Sequence, residues 1–257
     1  MDVHVRGLGP AEPFLGAAEL FETERDLQSP VYVDVQPNPD ERTWTAHHAD
    51  HHVLNISEKA ARSAMARELI VHELSHMARN EEGHASHHLP TEEALYLALA
   101  GKSVEQRKIA HCYQIANHMK DIYADDITLT VTSEQKLLSF LESELARAVA
   151  SAPDPAPWPN SRLLTAGADP EITAVNAAFA LALAERHNLI ETDHRLYDLA
   201  HAATNDAPSI DVAAFRRRFR SLGEDPTTSE YRSALVELTR AYALDQSPQS
   251  HAAGTQL

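Results

Sequence analysis

The spacing of apolar and polar residues changes period several times along this chain. From Ala17 to Leu27 the apolar positions Leu20, Phe21 and Leu27 form a stripe at helical spacing, and Ser29-Pro30 ends it. Val31-Tyr-Val-Asp-Val35 then alternates and is rich in β-branched residues, the mark of a strand. Beyond a turn at Pro37 to Asp40, Thr43 to His47 and His52 to Ile56 read as two more strands joined through Ala49-Asp50. Together the three predict a small antiparallel sheet.

Helical periodicity takes over after that. Ser57 is placed to cap a helix, or a pair of helices, running from Glu58 to Arg79. Asn80 to Pro90 is a polar loop, and Thr91 can cap a helix that Gly101 stops. Ser103 and Gln106 have the spacing of a capping box for a long helix from Val104 to about Leu129. Another helix runs from Ser133 to Ala150. Residues 151–162 carry several prolines and no periodicity, as a linker does. Four amphipathic segments follow: Pro170 to His187, Asp193 to Thr204, Ile210 to Leu222 and Ser229 to Leu244. The fold class expected is α+β. A metal-binding domain over residues 1–150 precedes a helical domain over 151–245 and a disordered tail over 246–257.

Charge narrows the partners. The chain has 257 residues and a formal net charge of −16. Its only lysines are Lys59, Lys102, Lys108, Lys120 and Lys136. This acidic, lysine-poor, alanine-rich composition resembles that of proteins from salt-loving archaea. It argues against nucleic acid or an anionic membrane as partner. The single Cys112 excludes an internal disulfide and a cysteine-based metal cluster. No basic segment followed by a long apolar run opens the chain, and even Ala174 to Ala184 is too short to span a bilayer. A cytoplasmic location is expected.

The densest chemistry lies in Ser63 to Asn80, SAMARELIVHELSHMARN. His72, Glu73 and His76 form H-E-x-x-H on an amphipathic helix free of Gly and Pro. Positions i and i+4 share a helix face, so both imidazoles can reach one metal ion, with Glu73 set to polarise a water beside it. Catalytic zinc takes three protein ligands and keeps one position open. Asp121 and Asp125 on the long helix are again i and i+4, and His118 lies on the same stripe. His84, His87 and His88 in the loop after the motif are rival candidates. The histidines at 47, 48, 51 and 52 bracket a turn and are expected to face solvent for the most part.

H-E-x-x-H followed by Asp121-Ile-Tyr-Ala-Asp125 resembles the gluzincin metalloproteases, whose downstream helix reads E-x-x-A-D. The resemblance covers about residues 30 to 130. It implies a zincin-like fold, zinc as cofactor, Asp121 as third metal ligand and Asp125 as the support of a motif histidine. Asp stands where the family has Glu, one methylene shorter, so the two helices must approach closely. The reverse assignment, with Asp125 as ligand, stays open. The function expected is a zinc-dependent peptidase with Glu73 as general base, acting on a peptide or protein substrate that pairs with the strand ending at Ile56. The alternative is a zinc-binding, non-proteolytic regulatory or interaction protein. The C-terminal helices could also form a homo-oligomer.

Overall fold

The computed structural model describes residues 1–7, 9–39, 41, 43–151 and 169–244. The proline-rich linker, beyond Ser151, and the expected disordered tail lie outside those residues. The class is α+β. Strand β1 (Val3–Gly7), helix α1 (Glu12–Phe21) and strand β2 (Val31–Gln36) form a β-α-β unit. Strands β3 (Trp44–His47) and β4 (His52–Ser57) follow as a hairpin.

The sheet order is β1-β2-β4-β3. Both β1 with β2 and β2 with β4 are parallel, and only β3 with β4 is antiparallel. This corrects the antiparallel sheet expected from the sequence. A parallel pair needs a long crossover, which α1 supplies. Strand β1 escaped notice because His4 and Arg6 fill its alternate positions and leave little apolar signal. Gly7 closes it at φ +99, where an added Cβ would stand 2.7 Å from the Val35 carbonyl oxygen. Helix α1 also starts earlier than expected, at Glu12, and Leu27 is buried beyond its end. Strand β4 is central rather than an edge; the free edge near the motif belongs to β3.

Ser57 does cap a short helix, α2 (Glu58–Ala61), by accepting from the Ala60 N–H. The motif helix α3 (Ala66–Glu81) is separate. The loop after it contains a single turn, α4 (Ala85–His88), before α5 (Thr91–Leu99). The long helix α6 (Gln106–Val131) has Glu105 as its N-cap and no capping box. Helix α7 (Glu134–Ala150) follows, and α8 (Pro170–Arg186), α9 (Arg195–Asp206), α10 (Val212–Arg220) and α11 (Thr228–Ala243) match the four segments expected.

There are two apolar cores. One packs α1 and the strands against α3 and takes Ile127 from α6. The other gathers residues of α4 to α7 around α8, whose buried positions cover nearly its whole circumference. The seam between the cores therefore falls at α6, which gives Ile127 to one and Ile115, Met119 and Ile122 to the other. Helices α5 to α7 share their core with the C-terminal helices. Among the described residues no helix is long and apolar enough to cross a membrane.

Leu54 on β4 is fully buried in the first core. Leu54→Ala should cost about 2–5 kcal/mol, read as a lower urea midpoint. Leu15→Ala, at a side chain 49% exposed, should change stability by no more than about 0.5 kcal/mol. Equal midpoints for the two variants would refute this packing.

Candidate metal centre

Helix α3 presents His72 and His76 one turn apart, with the rings nearly perpendicular and their centroids 4.6 Å apart. Their Nε2 atoms stand 3.0 Å from one another. Asp121 of α6 brings Oδ1 to 3.4 Å from His76 Nε2 and 3.8 Å from His72 Nε2. Among the described residues these three side chains alone converge as a possible metal site. Asp121 can reach because α3 and α6 meet through small side chains. Thr128 donates to Ser75 at 3.1 Å, Ser75 donates to the Val71 carbonyl, and Arg79 Nε donates to the Tyr123 carbonyl.

Each of the three has a partner on its far side. Asp125 Oδ1 lies 2.7 Å from His72 Nδ1, so Asp125 is the support and Asp121 the convergent carboxylate. His76 Nδ1 lies 2.7 Å from His87 Nε2. His87 Nδ1 in turn faces the Ser86 hydroxyl, which also meets His84 Nδ1. The network assigns the protons: with His76 Nε2 left bare, its Nδ1–H donates to His87, and His87 donates to Ser86. His87 is thus a buttress and not a third ligand, the role the sequence left open for it. Asp121 Oδ2 meets His118 Nδ1 at 3.4 Å. Such partners fix both tautomer and ring orientation.

Glu73 is buried beside the trio and takes a hydrogen bond from the Thr45 hydroxyl on β3. Burial raises its pKa, against the opposing pull of His76 and His72. Burial lowers the pKa of His72, but Asp125, by charge and by hydrogen bond, together with Asp121 and Glu73, lifts it to about 10. Burial pushes Asp121 up, yet the neighbouring His118, His76 and His72 hold it well below the usual carboxylate range. Burial, then the neighbouring His76, Lys120 and His47, keep His87 neutral.

Of the turn histidines His48 is exposed, as expected, and His52 departs most from expectation. His52 is 2% exposed, with Nε2 at 3.1 Å from Glu81 and Nδ1 at 3.0 Å from His47 Nδ1. Glu81 is anchored by the backbone N–H groups of Gln28 and Ser29. Thr43, Thr45 and His47 fall on one face of the extended segment around β3 by its two-residue period. That face runs along α3: Thr43 shares a cleft with His72 and Glu73, and Thr45 bonds Glu73. The sequence signal for Thr45 was only this alternation.

A cleft of about 630 Å³ opens beside the trio, bounded by His72, Glu73, Asp121 and Asp125. Its far walls carry Met65, Leu69, Leu137, Phe140 and Leu141. Asp125→Ala should weaken binding of a divalent metal by about 10- to 100-fold in a chelator competition. At pH 7.5 His72 carries a proton, since its pKa stands near 10, and a metal must displace it. Binding heats measured in two buffers of different ionisation enthalpy should therefore show proton release; equal heats would refute the assignment.

No curated protein and no solved structure matches the chain. A family model described as "Family of unknown function (DUF5781)" matches residues 1–244, more than nine-tenths of the chain, and the chain belongs to that family.

Proposed function

We propose that this chain is a zinc-dependent peptidase built on a zincin-like fold. The observation that carries the reading is the convergence of His72 Nε2, His76 Nε2 and Asp121 Oδ1 beside the buried carboxylate of Glu73. Zinc sits about 2.0–2.2 Å from nitrogen and carboxylate ligands in a tetrahedron, which sets ligand atoms about 3.3 Å apart. The separations of 3.0, 3.4 and 3.8 Å bracket that value. Two imidazoles and one carboxylate, with no thiolate, suit zinc, and three ligands leave the open position that a hydrolase needs.

Bound there, zinc would lower the pKa of a water and polarise a carbonyl. The chain's own residues do the rest. Glu73, adjacent to a ligand in sequence yet absent from the convergent trio, is the base; its raised pKa suits a group that takes up a proton and returns it to a leaving amine. Thr45 holds that carboxylate in place. The edge strand β3 offers backbone groups to an extended peptide, and the apolar walls of the cleft suit a large apolar side chain next to the bond cut.

Glu73→Gln should keep zinc affinity within about threefold and lower hydrolysis of a peptide-library substrate by about 10²- to 10⁴-fold. His76→Ala should lose both zinc and hydrolysis. A Glu73→Gln protein as active as the parent would refute the assigned base.

A further inference from the structure

We propose that the C-terminal helical half completes the metal site: Asn176 of α8, acting through His118, holds Asp121 in the orientation that offers Oδ1 to the ion. The inference rests on the metal reading above and adds to it a positioning residue from a different part of the chain.

Asp121 is the ligand with the least local support. Its Oδ1 faces the two imidazoles, and its Oδ2 meets only the His118 ring, at 3.4 Å. His118 is three residues earlier on α6, so both side chains stand on one helix face. The ring would be free to turn if α6 alone held it. Helix α8 stops it at two points. Asn176 Oδ1 lies 2.8 Å from His118 Nε2, and the Phe179 ring stacks on the imidazole at 4.2 Å with an interplanar angle of 10°. Asn176 and Phe179 are also i and i+3, so one face of α8 supplies both. Gln114 Nε2 donates to the same Asn176 oxygen at 3.0 Å, so α6 holds the amide at a second point.

Asn176 is the one polar residue in its stretch of α8. It interrupts the run AVNAAFALALA, whose other residues are buried hydrophobics of the larger core. It is also the one half-buried position of that run, and its amide meets His118 and Gln114 of α6. Farther along, Arg186 of α8 clasps Asp126 of α6 through two bonds of 2.9 and 2.8 Å. Asp121 and Asp125 thus lie between two points at which α8 is fastened to α6. Metal affinity and the docking of α8 are coupled, since each favours the same arrangement of His118.

The test uses the full chain and zinc, with affinity read by competition against a chromophoric chelator and geometry read from the visible spectrum of the cobalt-substituted protein. Asn176→Ala should weaken zinc binding by about 10-fold or more and change the cobalt bands. Phe179→Leu preserves apolar volume, serves if Asn176→Ala does not fold, and should weaken zinc by about threefold or more. Melting with excess chelator reports folding separately. A parent chain that binds no zinc sinks the metal reading itself. A parent that binds zinc, with folded Asn176→Ala or Phe179→Leu binding equally well and giving the same cobalt spectrum, overturns this inference and leaves that reading standing.

Discussion

The crossing of α3 and α6 is the constraint on which the rest depends. Asp121 is a short carboxylate, and it meets His76 Nε2 at 3.4 Å where the small side chains of Ser75 and Thr128 let the two helices come close. The Arg79 bond to the Tyr123 carbonyl ties the pair at the next turn. The crossing therefore substitutes for reach: what a longer side chain would supply in length, this chain supplies in helix proximity.

The crossing also lies where the two apolar cores meet. Helix α3 belongs to the sheet-bearing core and α6 faces both, with Ile127 in one cluster and Met119 and Ile122 in the other. The site accordingly draws on both sides: Thr45 from β3 orients Glu73, while His118 and Asn176 stand behind Asp121. A site whose side chains are held in place by hydrogen bonds from both sides is more precisely placed than one supported from one side alone.

Much of this was legible in the sequence because it was local. The i,i+4 spacing of His72 and His76, and again of Asp121 and Asp125, is a property of one helix and survives any tertiary arrangement. So does the order of the C-terminal helices, whose boundaries fall within a few residues of the pattern. What escaped was non-local. The parallel pairing of β1, β2 and β4 depends on a crossover that alternation cannot report, and the turn histidines looked solvated because nothing near them in sequence announces Glu81. His87 illustrates the middle case: its residue type suggested a ligand, but only geometry shows it behind His76. Asn176 did leave a signal, a lone amide inside an apolar run, yet its partner lies fifty-eight residues earlier.

Electrostatics explains why such a cluster fits a cation. Glu73, Asp121 and Asp125 are buried or half-buried carboxyl groups gathered beside one cleft, and burying ionised carboxylates is costly unless positive charge lies among them. In the metal-free chain that charge is the proton on His72, which is why its pKa rises to about 10 despite burial. A proton on His72 and a cation among the three ligand atoms answer the same imbalance, and the cation answers it more fully because it meets Asp121 directly. Glu73 is the residue this arrangement leaves over. Burial opposes its charge while the two imidazoles favour it, and in the metal-free chain burial prevails.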